Sequence, residues 1–421
     1  MQFMENICAN YRDYLYQVRR TNMAKAMVYI QSGGPTSVIN TSLYGAIKEA
    51  QKHSEISHIY GSLNGIEGLL KDNIIDLGKE DPAQIELLKQ TPGSILGTSR
   101  HKLPKDFHNE EYSKIIETCK KHNIGYVFVN GGNDSMDTCY KLSLLCKELN
   151  LDIKVMGVPK TVDNDLAETD HSNGFGSAAK YVINTTREII ADAQSYDRYK
   201  GYIIEVMGRN AGWLTAATDL LPEHARPDLI YLPENKFDTE KFVKKFGEIY
   251  EKKGICIVAI SEGIDFERDE TNVKVDSFGH KQLGGAASDL AKLINSRLGI
   301  SVRAIELSLP QRAFSFLTSK VDSEEAEACG REAVKHAVEG MTGHMIAIKR
   351  LSDAPYKVEY KPVDISKIAN VERKVPSTMM KDDSHMDASF KAYCEPLIKG
   401  ELEIKMKDGI IETTLLKKVR V

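Results

Sequence analysis

Two glycine-containing turns in this sequence carry residue types that bind phosphate and metal ions. Gly33-Gly34 follows a short apolar run, and Gly131-Gly132 precedes Asn133 and Asp134. Glycines let the backbone turn tightly and approach an anion, which the free N–H groups at a helix start stabilise. A carboxylate beside such a turn is useful when Mg²⁺ bridges it to a phosphate. A plain tight turn at Gly33 and helix capping by Asn133 or Asp134 are the simpler alternatives.

Two carboxylates follow another apolar run. Asp163 and Asp165 lie two residues apart on an irregular stretch, and Lys160 and Thr161 come just before them. Such a pair suits a general base together with a group that positions a metal ion. An isolated Asp-Asn-Asp would more simply be a solvated turn. The preceding apolar run and the lysine favour a chemical role here.

Charged side chains follow further apolar runs. Gly208 and Arg209 end one run, and Glu262 ends another, where it could bind sugar hydroxyls. An arginine can bridge phosphate oxygens and stabilise charge in a transition state. Arg303 and Arg312 flank the end of a third run. Either arginine alone would be a surface charge, but as members of a set they could hold a sugar phosphate.

The elements that must position these groups alternate between strand and helix. Runs such as 126–129 are continuously apolar, as is typical of strands buried on both faces of a sheet. Their alternation with amphipathic stretches predicts an α/β fold with doubly wound parallel sheets. Ligands bind beyond the carboxyl ends of such strands, and every cluster above falls at one, which favours an enzyme. The predicted strands are 26–31, 56–60, 125–130, 154–158, 202–206, 229–232, 255–260, 301–306 and 344–349; the predicted helices are 38–53, 110–121, 135–149, 177–193, 239–252, 281–297 and 323–338.

Composition narrows the possible functions. The chain has 421 residues, 42% apolar and 28% charged, as expected for a globular protein of about two domains. With 56 Lys and Arg against 60 Asp and Glu, no basic field predicts binding to nucleic acid or to a membrane surface, and no run suits a membrane span. Seven scattered cysteines without Cys-x-x-Cys spacing indicate a reduced, cytoplasmic protein. Residues 1–22 have no apolar signal-peptide core and are interpreted as an N-terminal extension.

Taken in order, the motifs resemble those of the phosphofructokinase family over roughly residues 25–350. Agreement of so many ordered motifs makes the resemblance specific. The matching elements are the Gly33-Gly34 turn, Gly-Thr-Ser-Arg at 97–100, Gly-Gly-Asn-Asp-Ser at 131–135, Pro-Lys-Thr-Val-Asp-Asn-Asp at 159–165, Met-Gly-Arg at 207–209, Ser-Glu-Gly at 261–263 and Gln-Arg at 311–312.

The resemblance implies two Rossmann-like doubly wound domains with the active site between them, and phosphoryl transfer to the 1-hydroxyl of fructose 6-phosphate. Residues 23–174 plus about 311–365 would bind the phosphoryl donor, and 175–310 plus about 366–421 the sugar phosphate. By matching position, Asp163 would be the base, Thr161 and the Gly33 turn would hold substrate, Arg100 and Arg209 would stabilise the migrating phosphoryl group, Met207, Gly208 and Glu262 would bind the sugar, and Arg303 and Arg312 its 6-phosphate.

Two positions discriminate the phosphoryl donor. ATP-using members of the family usually have glycine in the places of Asp134 and Lys160, whereas pyrophosphate-using members resemble this chain. The physical chemistry agrees, because a carboxylate at 134 would repel and replace a nucleotide α-phosphate. A lysine at 160 adds positive charge for a donor that lacks adenosine contacts. The resemblance therefore implies pyrophosphate as the donor.

A metal ion and a second subunit are also implied. Mg²⁺ would be held in part at Asn133, where relatives often have an aspartate. Because an amide is a weaker ligand, the ion is expected to depend more on pyrophosphate oxygens and on Asp165. Lys200 stands where many members have an arginine that a neighbouring subunit contributes. A homodimer or homotetramer is therefore expected.

Two alternative functions stay open at this point. The first is the ATP-dependent form of the same enzyme, against which Asp134 and Lys160 argue. The second is a non-catalytic, sugar-phosphate-binding regulatory subunit, although such a chain could lose the base and Asp163 is present. A nicotinamide dehydrogenase would need Gly-x-Gly-x-x-Gly followed by an acidic residue, and the sequence has neither.

Overall fold

The computed structural model describes residues 24–196, 200–267, 284–382 and 384–421; the extension predicted at 1–22 lies outside them. In this part of the chain a seven-stranded and a four-stranded sheet form the centre. In chain order the strands are β1 Lys25–Gln31, β2 Ile56–Ser62, β3 Ile74–Asp76, β4 Ile124–Gly131, β5 Lys154–Pro159, β6 Lys200–Val206, β7 Leu229–Tyr231, β8 Ile255–Ser261, β9 Val302–Glu306, β10 His344–Asp353, β11 Tyr356–Asp364, β12 Met406–Lys407 and β13 Ile410–Ile411.

The helices fill the intervals between these strands, as the alternation predicts. The helix predicted from residue 323 begins at 320, because the Ser319 side chain caps it by accepting the Asp322 N–H. The start of the helix predicted at 281 lies outside the described residues. The helices are α1 Ile39–Ala50, α2 Glu67–Leu70, α3 Pro82–Glu86, α4 Glu110–Lys121, α5 Asn133–Glu148, α6 Phe175–Gln194, α7 Trp213–Ala217, α8 Thr239–Lys253, α9 Ala286–Leu298, α10 Pro310–Ala313, α11 Lys320–Val338 and α12 Ala388–Cys394.

The larger sheet has the order β11-β10-β5-β4-β1-β2-β3. Its central strands are parallel, whereas β3 and β11 pair antiparallel at the two edges. Alternate side chains of β1 enter two different cores: Val28 packs with residues of α4 and α5, and Tyr29 packs with residues of α1 and α11. Burial on both faces explains why these strands are continuously apolar.

The smaller sheet has the order β7-β8-β6-β9, and all of its pairs are parallel. Ile204 of β6 faces a core that includes α6, and its neighbour Ile203 faces a core that includes α8 and α9. Both sheets therefore have helices on both faces. The predicted class, two doubly wound α/β sheets, is confirmed.

The last part of the chain returns to the larger sheet. Thr414 and Lys417 hydrogen-bond to the Gln84 and Glu80 region that follows β3, and Arg420 bridges to Ile75. These contacts join the tail to the larger sheet, whereas the sequence analysis groups residues 366–421 with the sugar-phosphate domain. The predicted domain boundaries otherwise stay a prediction.

Helices α1 and α11 cross at van der Waals distance because glycines face the partner helix. A Cβ built at Gly330 would lie 1.9 Å from Ser42 O, and one built at Gly45 would lie 2.0 Å from Glu327 O. Both obstructing atoms belong to helix backbones, which cannot move aside independently. This crossing holds α1, which follows the first glycine turn, against the sheet.

We expect Gly330→Ala to lower the free energy of unfolding by about 1–3 kcal/mol, because the two helices must separate. Urea denaturation would measure the change. The matched control is Gly247→Ala in α8, where the added methyl group would meet only the flexible end of Leu298 at 3.3 Å. The control is expected to be neutral or stabilising by about 0.5–1 kcal/mol. Equal effects of the two variants would contradict the account of the crossing.

Candidate active site

A cleft of about 910 Å³ lies where the parallel strands of both sheets end. Helix starts and loops that follow β1, β4 and β5 form one wall, and loops that follow β6 and β8 form the other. Twelve residues predicted from the sequence line this cleft: Gly33, Arg100, Asn133, Asp134, Lys160, Thr161, Asp163, Asp165, Met207, Arg209, Glu262 and Arg312.

The first glycine turn leaves room for a buried lysine. Gly33 has a φ of 76°, in the left-handed region, and a Cβ there would lie 3.2 Å from Lys160 Nζ. Lys160 is only 3% exposed, and its ammonium group donates to Gly34 O at 2.7 Å. Burial lowers the pKa of Lys160 to about 8, although the nearby Asp163 and Asp165 oppose the shift. The turn is therefore more than a simple strand–helix connection.

The second glycine turn aims an amide and a carboxylate into the cleft. Gly132 is the N-cap of α5, and no side chain caps this helix. Helix capping by Asn133 or Asp134, the simpler alternative from the sequence, is therefore wrong. Asn133 Nδ2 donates to Asp165 Oδ2 at 3.3 Å, while Asn133 Oδ1 and Asp165 Oδ1 are buried without a hydrogen-bond donor among the described residues. Two such orphaned oxygens suit a hard cation.

The acidic loop holds both aspartates beside these groups. Thr161 Oγ1 accepts the Asp163 N–H at 3.1 Å, and Asn164 between the aspartates has a φ of 56°. Burial raises the pKa of Asp163, which the positive charges of Arg209 and Lys160 partly offset. Burial also raises the pKa of Asp165 to about 7, and the adjacent Asp163 charge adds to the shift. Both shifts favour the protonated carboxyl groups, so nearby positive charge is needed to keep them ionised.

The wall formed by the smaller sheet supplies arginine side chains and a further carboxyl group. Arg209 Nε is buried without an acceptor among the described residues, which leaves a donor free for a ligand anion. Burial raises the pKa of Glu262 to about 7, and the Asp163 charge adds to this shift. Gln311, which is 2% exposed, accepts the Met207 N–H at 3.0 Å. Burial and the nearby Arg100 lower the pKa of Arg312.

Three predicted residues do not line the cleft. Gly208 lies between two lining residues with a φ of 146° and donates its N–H to Glu262. Lys200 and Arg303 lie elsewhere, because they stand at the amino-terminal ends of β6 and β9, whereas the cleft is at the carboxyl ends. Arg303 instead lines a separate cavity of about 330 Å³ beside α6. Within one chain, Arg303 is therefore not part of the site that contains Arg312.

The cleft also contains polar residues that sequence reasoning missed. Lys102 follows the Gly-Thr-Ser-Arg motif, and Asn370 and Glu372 come from the segment after β11. Asn210 Nδ2 donates to Glu372 Oε1 at 2.8 Å, so this segment reaches the wall of the smaller sheet. The run Asn-Val-Glu-Arg at 370–373 lies beyond the region of resemblance, and only its polarity could have drawn attention to it.

Comparison with known proteins agrees with this architecture. The sequence profile described as phosphofructokinase matches residues 26–337. A protein from Xanthomonas campestris named pyrophosphate–fructose 6-phosphate 1-phosphotransferase is 40% identical, covering 94% of this chain and 97% of its own. The crystal structure titled pyrophosphate-dependent phosphofructokinase from Nitrosospira multiformis has a TM-score of 0.86 and 40% identity, covering 95% of this chain and 98% of its own. A like-named structure from Marinobacter aquaeolei has a TM-score of 0.86 and 37% identity over 94% and 97%. The chain belongs to the phosphofructokinase family.

No helix in the described ranges is both long and apolar enough to cross a membrane.

Replacing Glu262 tests whether burial raises the pKa of its carboxyl group in the cleft. The folded protein holds the Glu262 proton up to about pH 7, whereas a free glutamate loses it near its ordinary value of 4.5. The wild-type free energy of unfolding should therefore fall as pH rises through this window. We expect Glu262→Gln to gain on the order of 1–3 kcal/mol relative to wild type between about pH 5 and pH 8.

Urea denaturation of wild type and variant across this pH range measures the difference. The matched control is Glu251→Gln on the exposed surface of α8. The free energy of unfolding of this variant should differ from that of wild type by the same amount at every pH. A Glu262→Gln difference that does not change with pH would contradict a raised pKa at this position.

Proposed function

We propose that this chain is a pyrophosphate-dependent 6-phosphofructokinase. It would transfer a phosphoryl group reversibly from inorganic pyrophosphate to the 1-hydroxyl of D-fructose 6-phosphate, giving fructose 1,6-bisphosphate and phosphate. The single observation that carries the proposal is that Asp134 and Lys160 line the same cleft as the acidic loop, in a chain of the phosphofructokinase family. The names of three relatives that are 39–40% identical to this chain agree with it.

The donor assignment rests on charge and space. Asp134 stands in the first turn of α5, where the helix N–H groups would otherwise receive a phosphate. A like charge about 4 Å from that carboxylate costs roughly 4 kcal/mol at an effective dielectric constant of about 20. A nucleotide α-phosphate would meet this repulsion, whereas pyrophosphate has no such group. Lys160 supplies a buried positive charge beside the first glycine turn, where its ammonium group donates to Gly34 O.

The acidic loop would carry out proton transfer. Asp163 would accept the proton of the sugar 1-hydroxyl. The hydroxyl oxygen would then attack the terminal phosphorus of pyrophosphate, and the other phosphate would depart. Arg209, with its unused Nε donor, and Arg100 would stabilise the charge on the migrating phosphoryl group. Glu262 and the Met207 main chain would orient the sugar. Together these groups support an enzyme rather than a regulatory subunit.

Mg²⁺ is the proposed cofactor. The buried, unpartnered oxygens of Asn133 and Asp165 would hold it, together with pyrophosphate oxygens. When bound, the ion would neutralise phosphate charge during the transfer. The ion would also lower the pKa of Asp165, because a nearby cation favours the ionised carboxylate.

A homo-oligomer, either dimer or tetramer, is part of the proposal. Lys200 and Arg303 lie near the amino-terminal ends of paired strands, where Arg303 is opposite Tyr202, and both are away from the cleft of their own chain. Strand β9 is an edge of its sheet, and Arg303, Ala304 and Glu306 are exposed. In a symmetric dimer such a surface would bring both cations to the partner's sugar 6-phosphate. The six free cysteines of the described residues, all buried, support a reducing, cytoplasmic location.

The experiment that tests the function is a comparison of donors. We expect wild type to phosphorylate fructose 6-phosphate with pyrophosphate and to show at least about 100-fold lower kcat/KM with ATP, a ratio that needs only about 2.8 of the roughly 4 kcal/mol of repulsion. Asp134→Gly should relieve that repulsion and raise kcat/KM for ATP. Lys160→Gly should lower turnover with pyrophosphate. The control for the loss of a charge is Asp408→Gly at an exposed position, which should leave kcat/KM unchanged with both donors. Preference of wild type for ATP would overturn the proposal.

Mixing two defective subunits tests both the base and the shared site. Asp163→Asn alone should lose several orders of magnitude in turnover, and Arg303→Ala alone should raise KM for the sugar phosphate. If each site takes Asp163 from one subunit and Arg303 from the other, a hybrid dimer of these two chains has both substitutions in one site and none in the other. Purified with two different tags and assayed at a fructose 6-phosphate concentration near the wild-type KM, where the Arg303→Ala parent is slow, this hybrid should recover about half of the wild-type rate. A hybrid no more active than its parents would contradict sharing.

A further inference from the structure

The segment 370–375, which follows β11, connects the two walls of the cleft. On one side, the Arg373 N–H donates to Asp165 O at 2.7 Å, and Glu372 pairs with Leu166 in an isolated antiparallel bridge. On the other side, Trp213 Nε1 donates to Arg373 O at 3.3 Å, and Asn210 donates to Glu372. The segment thus bonds both the acidic loop and the loop that carries Arg209.

The guanidinium group of Arg373 binds the acidic loop through its carbonyl oxygens. Its Nη2 donates to Asn164 O at 3.1 Å, and its Nη1 donates to the carbonyls of Thr169 and Asp170. Nη2 also donates to the Tyr393 hydroxyl at 3.1 Å. The guanidinium carbon lies 4.5 Å from the centre of the Trp213 ring, which adds a cation–π contact.

These bonds hold a loop that has no regular hydrogen-bond ladder of its own. Asn164 and Glu168 both have positive φ values, of 56° and 61°, which are unfavourable for residues other than glycine. Asn164 is fully buried, and its side chain bonds Tyr393 and the Ser172 N–H. The planar guanidinium group, with five N–H donors in a fixed fork, reaches three carbonyls of this one loop at once.

We propose that Arg373 is a positioning residue that holds the Asp163–Asp165 loop in its reactive geometry and keeps it in register with Arg209 on the other wall. This role rests on the proposed phosphoryl transfer, because it assigns Arg373 to the same site. Arg373 touches no substrate; it acts through the backbone of Asn164 and Asp165. A misplacement of about 1 Å at reacting groups can cost about 100-fold in rate.

The test compares Arg373→Lys with Arg226→Lys. Both lose a planar fork and keep the positive charge, and Arg226 bonds buried Asp219 at 3.0 Å outside the cleft. We expect Arg373→Lys to lower kcat about 10- to 100-fold while KM for fructose 6-phosphate changes less than about threefold. Arg226→Lys should keep kcat within about twofold of wild type at a comparable loss of melting temperature. Equal kcat for the two variants would overturn the proposal.

Hydrogen exchange of peptides covering 161–170 gives a readout independent of catalysis. Arg373→Lys should exchange faster there than wild type, and Arg226→Lys should not. If wild type shows no pyrophosphate-dependent turnover, the proposed function fails, while the exchange result still decides the positioning role. If Arg373→Lys does not fold, Tyr393→Phe keeps the ring, removes the hydroxyl that bonds Asn164 and Arg373, and should lower kcat in the same direction. Unchanged exchange, or unchanged kcat in a folded Tyr393→Phe, would overturn the proposal.

Discussion

The cleft depends on one unfavourable arrangement, the burial of Asp163 and Asp165 next to each other. Desolvation raises the pKa of both carboxyl groups, and the charge of Asp163 raises the pKa of Asp165 further. The compensating cations come from different places in the fold. Lys160 is on the same loop, whereas Arg209 and Arg312 belong to the wall formed after the smaller sheet. The two walls must therefore meet for the acids to be tolerated.

This constraint explains why so many groups in the cleft have shifted pKa values. Lys160 and Arg312 have lowered pKa values and Glu262 a raised one, because each shares the same poorly solvated space. A phosphate ligand would add negative charge beside the cations, and a divalent metal would add positive charge beside the acids. Substrate and metal would thus relieve electrostatic strain among these buried groups. Such strain is common where binding energy is used for catalysis.

Two features of the fold support the cleft without filling it. Glycines at 45 and 330 let α1 and α11 pack backbone to backbone, which anchors the helix that follows the first glycine turn. The segment 370–375 bonds the acidic loop and the Arg209 loop from the outside. Glu372 from this segment faces the cleft, and its charge raises the pKa of Asp163 further. Elements from distant parts of the chain therefore control the same two aspartates.

The sequence by itself determined the α/β class and most of the cleft. Glycine turns, paired acids and continuously apolar strands are local patterns. The carboxyl ends of parallel strands lie at one edge of the sheet, so residues that follow them come together without further information from the chain. Strand β11 was missed because its edge position leaves most of its residues half-buried or exposed, without an apolar run. Arg303 and Arg312 were expected in one site, yet strand direction separates them within a chain. Only the tertiary structure decided that separation and the approach of Arg373 to the acidic loop, because contacts between residues some 200 positions apart leave no local pattern.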